Sequence, residues 1–292
     1  MLKGYDERHI PQKLFRRHLS FLKSRGYKFI SLDDYARARE QGQRLDRAVI
    51  LTFDDGFRNV IQNAVPAMAQ DGAMGVLYVV VECARFQRLL WTDQVESWVR
   101  AQPGPHLQVS LGQSKLSYPI HSKKQREFAM GDIKRRLRAL PDHERRSHLE
   151  HFSFSGKTSH EFEIASLAEL KEVRPETLQI ASHTMSHPNC TRIEIDGEFQ
   201  TELGQSKVEL ERMLGLPVEH FAYPAGAYDE RVVTQVRKFG YRTAVTTDPG
   251  LNNARTDLLK LKRVGTNHSF ILFQAMTSGS YFFLSQRLHW RK

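Results

Sequence analysis

The stretch Ala48-Val-Ile-Leu-Thr-Phe-Asp-Asp-Gly56 decides the fold. Its first six residues form an apolar run rich in β-branched side chains, which is typical of a strand buried on both faces of a parallel sheet. The run ends at two adjacent carboxylates and a glycine, and α/β folds gather their functional groups at such strand ends. We therefore predict a buried strand that delivers Asp54 and Asp55 to one edge of a sheet.

Helix and strand signals alternate on both sides of this stretch. A helix-spaced segment follows Pro11 and stops at Gly26, and the capping box Ser166-Leu-Ala-Glu169 opens a helix in the second half. Strands that alternate with helices pair in parallel through crossover connections, so the sequence predicts an α/β barrel or an open α/β sheet. The predicted strands are 27–31, 48–53, 74–81, 178–182, 218–223, 241–246 and 259–264.

Residues 82–160 interrupt this alternation. They contain Pro103-Gly-Pro105, few strand signals, two helical stripes of apolar residues and a basic run at Lys134–Arg138. We predict a single domain over 1–292, with 82–160 as a helical insertion that caps the site and 270–292 as a C-terminal tail. The tail is apolar and then basic, so we expect it to pack back on the barrel, with peripheral membrane contact as the alternative.

Composition excludes several classes of protein. The 292 residues include 40% hydrophobic side chains, which suffices for a buried core, and the two cysteines cannot make a disulfide framework. No apolar run is long enough to cross a membrane, and the N-terminus lacks the apolar core of a signal peptide, so we expect a soluble, cytoplasmic protein. The net charge of +10 predicts a basic surface, with a preference for anionic partners as the alternative. Without zinc-finger spacing or an aromatic-basic RNA signature, we expect no specific nucleic-acid partner.

The two carboxylates after the first buried strand are the first candidate functional group. Consecutive side chains of a regular strand point to opposite faces, but the break at Gly56 allows Asp54 and Asp55 to share a site. Two carboxylates in one pocket repel each other unless a cation or a shared proton relieves them. The alternative is that one of them caps the next helix and the other faces solvent.

The segment His183-Thr-Met-Ser-His187 also follows a predicted strand directly. Pro188 disfavours helical geometry at His187, so the two histidines are expected in a turn at the strand end. Two imidazoles and one carboxylate provide three protein ligands and leave a position for water, which suits a catalytic metal better than a structural one.

A third segment, Phe221-Ala-Tyr-Pro-Ala-Gly-Ala-Tyr228, follows the next strand. Tyr223 and Pro224 favour extended backbone, and the small residues Ala225 and Gly226 allow a ligand to approach backbone N–H groups as oxyanion donors. Taken alone, this segment is predicted to be a plain turn.

Together, Thr52-Phe-Asp-Asp-Gly56, Ser182-His-Thr-Met-Ser-His-Pro188 and Phe221-Ala-Tyr-Pro-Ala-Gly226 resemble the polysaccharide deacetylases with a NodB homology domain, carbohydrate esterase family 4. The resemblance covers 14–81 and 166–264. It implies a distorted or partly open (β/α) barrel and metal-dependent removal of N-acetyl groups from amino sugars in a polysaccharide, oligosaccharide or glycolipid. It also assigns roles: Asp55, His183 and His187 bind a divalent metal, usually zinc, Asp54 is the general base, and Tyr223, Pro224 and Ala225 bind substrate.

The chain departs from the family pattern in two ways that affect the chemistry. Many members carry an arginine in the third motif that pairs with the base, and here Arg263 on the last predicted strand is the candidate substitute. Many also use a late histidine as general acid; His268 fits that context poorly, so the acid stays unassigned. Two alternatives therefore stay open: a non-catalytic carbohydrate-binding or scaffold protein on the same fold, and a hydrolase of another non-peptide C–N bond.

Overall fold

The fold is described by a computed structural model that places residues 10–152, 162–266 and 269–278. The strands are β1 Lys28–Phe29, β2 Ala48–Val49, β3 Leu51–Phe53, β4 Gly75–Val79, β5 His106–Leu111, β6 Ser114–Pro119, β7 Leu178–Ser182, β8 His220–Ala222, β9 Thr243–Pro249 and β10 Leu261–Arg263. The α-helices are α1 Gln12–Ser24, α2 Leu32–Glu40, α3 Val65–Asp71, α4 Val81–Phe86, α5 Trp91–Ala101, α6 Lys123–Ala139, α7 Asp142–Leu149, α8 Leu167–Lys171, α9 Asp196–Phe199, α10 Ser206–Leu214, α11 Glu230–Lys238 and α12 Phe270–Thr277.

A curled parallel sheet of six strands forms the centre of the molecule, in the order β10-β9-β8-β7-β4-β3. The predicted strand 48–53 is divided at Ile50: its first part pairs with β1, while its second part pairs with β4. The two-stranded sheet of β1 and β2 therefore continues the curvature of the six-stranded sheet beyond β3. This arrangement confirms the predicted distorted, partly open (β/α) barrel.

Both faces of the central sheet are buried, as the apolar strands predict. All five residues of β4 are buried, and they alternate between two clusters. Leu77 and Val79 pack outward against the helices in the main core. The inner cluster of the barrel is formed by Leu32, Val76, Tyr78, Ala181, Ala222, Val245 and Leu261.

Helix α2 closes the amino-terminal end of the barrel. Leu32, at its start, is 1% exposed and belongs to the inner cluster. The next residue, Asp33, accepts a hydrogen bond from Gln179 Nε2 at 2.7 Å and lies 3.1 Å from His220 Nε2, near the amino ends of β7 and β8. A functional site is therefore restricted to the opposite, carboxyl-terminal end of the strands.

The segment 82–160 has a hydrophobic cluster of its own, built from α5, α6 and an antiparallel hairpin of β5 and β6. The sequence analysis missed this hairpin, although Leu107, Val109 and Leu111 alternate with polar residues and Gly112 supplies the left-handed turn. The segment is thus not purely helical. The prediction of one domain with a capping insertion stays a prediction, because the described residues omit 153–161 and both chain ends.

The apolar residues Phe199, Leu203, Leu210 and Met213 have the spacing of one continuous helix, but this segment is broken into three parts. A π-helical stretch, Gln200–Gln205, separates α9 from α10. Within the tail, the described residues form α12, which packs on α1: the ring of Phe273 stacks on His18 at 3.9 Å. Residues 279–292 of the tail lie outside the described residues. Among those described, no helix combines the length and apolar character needed to cross a membrane.

Candidate metal centre

Asp55, His183 and His187 lie together at the carboxyl ends of β3 and β7. One ligand atom from each lies within 4.8 Å of the others. The Nε2 atoms of both histidines are 3.5 Å from Asp55 Oδ1. Strand β4 lies between β3 and β7, so the sheet brings together side chains that are more than a hundred residues apart in sequence. The sequence analysis predicted this grouping.

The protonation of the two histidines suits metal binding. His183 Nδ1 lies 2.8 Å from the carbonyl of Ala222, so Nδ1–H donates there and Nε2, which lies toward Asp55, is the nitrogen available to a cation. Burial and, to a smaller extent, the neighbouring His183 lower the pKa of His187 to about 3, so His187 is neutral at neutral pH. For His183, burial also lowers the pKa, but the hydrogen bond to Asp55 and the charges of Asp54 and Asp55 outweigh it and raise the pKa overall.

This donor set fits a divalent cation. Two imidazole nitrogens and one carboxylate oxygen are ligands that zinc and neighbouring transition metals accept, and three protein ligands leave coordination positions open. Two carboxylates, Asp54 and Asp55, face one guanidinium here, that of Arg263, and a cation would offset the remaining negative charge.

The backbone around the ligands is held in the left-handed region. Asp55, Thr184 and His187 have φ values of 73°, 71° and 61°. Such values cost non-glycine residues about 1–3 kcal/mol each, and they are least tolerated by a β-branched residue such as Thr184. Local bonds stabilise the turn: His187 N donates to Thr184 Oγ1 at 2.9 Å, and Val81 N donates to the Thr184 carbonyl at 3.2 Å. The sequence analysis predicted a turn here but not its conformation.

Asp54 lies beside the three ligands and is paired with Arg263. The guanidinium donates from Nη1 to Oδ1 at 2.7 Å and from Nη2 to Oδ2 at 2.8 Å. A third donor, Arg263 Nε, binds the carbonyl of Thr246 at 2.7 Å and orients the fork. Burial lowers the pKa of Arg263, but the charge of Asp54 and the hydrogen bonds to it outweigh burial, so the pKa of Arg263 is raised overall. The pairing follows the prediction from sequence, and the catalytic role of both residues stays a prediction.

The third motif, residues 221–226, offers little side-chain surface to a substrate. Tyr223 is fully buried and its hydroxyl donates to the carbonyl of Leu259 at 2.9 Å, so its side chain cannot contact a substrate in this conformation. Pro224 is buried as well, whereas Ala225 is exposed, with a left-handed φ of 54°. Gly226 is required, since a Cβ there would lie 1.9 Å from Thr247 Oγ1. Substrate contact by 223–225 stays a prediction, and the geometry restricts it to the neighbourhood of Ala225.

The sequence analysis missed three residues that contact the turn 183–187. Trp91 Nε1 donates to the carbonyl of His187 at 2.8 Å, Arg146 Nη2 donates to Ser186 Oγ at 2.9 Å, and Glu202 accepts from Ser186 N at 2.9 Å. One signal was present in the sequence. Glu202 lies directly beside Leu203 on the apolar, core-facing side of its helix, where an ionised side chain needs partners.

A curled parallel sheet with an Asp-His-His group and an Asp-Arg pair at its carboxyl ends has the fold of the NodB-type deacetylases. The family model described as "Polysaccharide deacetylase" matches residues 146–244, which include both histidines and the third motif but neither Asp54 nor Asp55. The resemblance to this family that the sequence predicts is thus confirmed over these residues.

Individual relatives agree with this assignment. The "Putative polysaccharide deacetylase YxkH" of Bacillus subtilis (strain 168) is 20% identical over 260 residues, which are 87% of this chain and 64% of that protein. Among solved structures, the Streptococcus pyogenes deacetylase PplD in complex with acetate has a TM-score of 0.62 at 18% identity, covering 94% of this chain and 89% of that one. IcaB from Ammonifex degensii has a TM-score of 0.61 at 14% identity, covering 94% and 91%. The chain spans about two thirds of the length of YxkH, and the structural likenesses establish the fold.

Proposed function

We propose that the protein is a metal-dependent hydrolase that removes N-acetyl groups from amino sugars in a polysaccharide, oligosaccharide or glycolipid. One observation carries the proposal: a three-residue ligand set, with its ligand atoms within 4.8 Å of one another, lies beside a carboxylate, that of Asp54, which an arginine fork holds in place. The deacetylase names of the relatives support the same reaction class.

In this proposal Asp55, His183 and His187 hold a divalent cation, with zinc as the expected metal because of the nitrogen and oxygen donor set. When bound, such a cation supplies Lewis acidity that polarises an amide carbonyl and makes water more acidic. The carbonyl of Ala222 holds His183 in the tautomer that directs Nε2 toward the cation.

Asp54 is the proposed general base. Its side chain is 31% exposed, so water and substrate can reach it, while both carboxylate oxygens are oriented by the Arg263 fork. Asp54 accepts a proton as the water oxygen adds to the amide carbon. The C–N bond then breaks, the nitrogen takes up a proton, and acetate and a free amino sugar are released.

The backbone near Ala225 is the proposed site of contact with the acetyl group. The three-residue segment 223–225 follows β8, whose last carbonyl already binds His183, so this loop is tied to the ligand set. The proton donor to the leaving nitrogen is unassigned, and His268, the late histidine considered from the sequence, lies outside the described residues.

The test uses Asp54→Asn and His183→Ala, assayed for acetate release from N-acetylglucosamine oligomers with zinc or cobalt supplied. We expect Asp54→Asn to lower kcat by about 10²–10⁴-fold while retaining metal, because it removes the base and leaves the ligands. His183→Ala should lose both metal and activity. Asp71→Asn, which changes a surface carboxylate paired with Lys23, and His106→Ala, at an exposed position in β5, are matched controls.

Two results would contradict the proposal. If both site variants release acetate as fast as the wild type, the assigned residues are wrong. If the wild-type protein binds the oligomers but takes up no metal and releases no acetate, the alternative of a non-catalytic carbohydrate-binding protein is correct.

A further inference from the structure

Two residues of the turn 183–187 have backbone that non-glycine residues rarely adopt. Thr184 and His187 both have left-handed φ values, and both imidazoles face Asp55. One bond within the turn, from His187 N to Thr184 Oγ1, stabilises this conformation, and contacts from outside the turn add to it.

Glu202 supplies the largest group of these contacts. Its side chain is fully buried, and Oε2 accepts the backbone N–H groups of Met185 at 3.1 Å and Ser186 at 2.9 Å. Oε1 accepts the hydroxyl of Ser186 at 2.8 Å. The carboxylate therefore captures the two consecutive amides that lie between the metal-ligating histidines.

The helical segment that carries Glu202 departs from α-helical geometry at this residue. Glu202 lies in the π-helical stretch Gln200–Gln205, and π-turns occur frequently at functional sites. Gly204 in the same stretch is a close-packing position, because a Cβ there would lie 2.7 Å from Gln200 Nε2 and 2.9 Å from Phe239 Cε1.

The 82–160 segment provides the counter-charge. Arg146 of α7 pairs with Glu202 Oε1 and with Asp142 Oδ2, the latter at 2.9 Å, and also donates to Ser186 Oγ. Burial raises the pKa of Glu202, and the charge of Arg146 opposes that effect. The ionised form of Glu202, which can accept all of these donors, therefore depends on a residue from a different part of the chain.

We propose that Glu202 is a positioning residue of the metal centre, which holds the turn 183–187 in the conformation that binds metal, and that Arg146 holds the Glu202 carboxylate in place. The inference rests on the proposed function, because it concerns the cation that Asp55, His183 and His187 would bind. Glu202 acts through the backbone of Met185 and Ser186 and does not contact the cation itself.

The test measures metal affinity in the full chain with Glu202→Gln. The amide is isosteric but places an NH₂ group against donors, so the turn loses part of its anchor. Zinc Kd is measured by competition with a chelating indicator, and cobalt binding by its visible absorption. We expect Kd for both metals to rise about 10-fold, as for other residues that orient ligands. The cobalt spectrum at saturation should match that of the wild type, since the ligands are unchanged.

Glu211→Gln is the matched control. Glu211 lies on α10, accepts the backbone N–H of Val218 at 3.1 Å and pairs with Lys207 at 3.0 Å, but does not contact the turn. Its Kd values should stay within about twofold of the wild type, although it loses a comparable set of bonds. Arg146→Met is the second variant, and should raise Kd in the same direction by a smaller factor.

The outcomes separate the inference from the proposed function. If the wild type binds neither zinc nor cobalt, the proposed function fails. If the wild type binds metal and Glu202→Gln binds it within about twofold as tightly, the inference alone is overturned. Should Glu202→Gln fail to fold, Arg146→Met decides: a raised Kd supports the inference, and an unchanged Kd overturns it.

Discussion

The two ends of the barrel use the same residue types for different purposes. At the amino-terminal end, Asp33 lies against His220 and a guanidinium, that of Arg242, forks onto Glu40. At the carboxyl-terminal end, an aspartate lies against two histidines and a guanidinium forks onto Asp54. Composition alone does not distinguish the two clusters.

The difference lies in which lone pairs are used. His220 has both ring nitrogens engaged, Nδ1 at 2.8 Å from Thr243 Oγ1 and Nε2 at 3.1 Å from Asp33 Oδ1. His183 and His187 instead direct Nε2 atoms toward Asp55 at 3.5 Å, too far for strong hydrogen bonds and close enough for a shared ion. A closed ion-pair network stabilises a fold, whereas a metal site needs converging donors that no other group saturates.

The largest expected difference between the two ends follows from removing one histidine from each. His187→Ala takes away one of three ligands, so we expect no detectable binding of zinc or cobalt and no deacetylation. His220→Ala leaves the ligands intact but removes two buried bonds, and should lower the free energy of unfolding by about 1–3 kcal/mol. Metal titration and urea unfolding measure the two effects. If folded His220→Ala also fails to bind metal, the two ends of the barrel do not have the separate roles argued here.

The two arginine forks give a smaller contrast. Arg263→Met leaves Asp54 misoriented, and we expect kcat to fall about 100-fold, since small displacements of a reacting group have effects of this size. Metal Kd should change little. Arg242→Met removes a fork whose glutamate is 52% exposed and screened by solvent, so it should change stability little and leave kcat unaltered. Equal losses of kcat in both variants would show that Arg263 acts through general stability instead of through Asp54.

The contrast also explains which parts of the site could be predicted from sequence. Residues that follow a strand directly, such as Asp55 and His183, were predictable because parallel strands end at a common edge. Arg263 was predicted through the family resemblance, since many members pair an arginine with the base and the last predicted strand carries one here. The first inference requires only the strand order and the chemistry of the side chains, and the second requires the family pattern.

Other features depend on contacts that no local pattern encodes. The left-handed backbone at Thr184 contradicts the ordinary preference of a β-branched residue and exists because distant groups hold it. The π-helical stretch 200–205 interrupts a helix whose periodicity is regular in sequence. The hairpin in 82–160 was missed because a long irregular stretch with Pro103 and Gly104 outweighed one short alternating strand.

The smallest expected effect concerns the pH dependence of stability at the closed end. The hydrogen bond from His220 lowers the pKa of Asp33 most, while partial burial opposes it, so the folded-state pKa lies below the ordinary value. A carboxyl group with a lowered folded-state pKa stabilises the protein above its unfolded-state pKa of about 3.9, and this contribution is lost as pH falls through the folded value. Asp33→Asn should therefore be less stable than the wild type at pH 7, with the difference shrinking as pH falls below about 4. The side chain is 40% exposed, so solvent screening keeps the effect small.

Urea unfolding at a series of pH values measures this effect on the free energy of unfolding, with Asp46→Asn, a solvent-exposed surface aspartate, as control. If the difference in free energy of unfolding between Asp33→Asn and the wild type does not depend on pH, Asp33 stabilises this end of the barrel through its hydrogen bonds alone. Its charge then contributes nothing to stability.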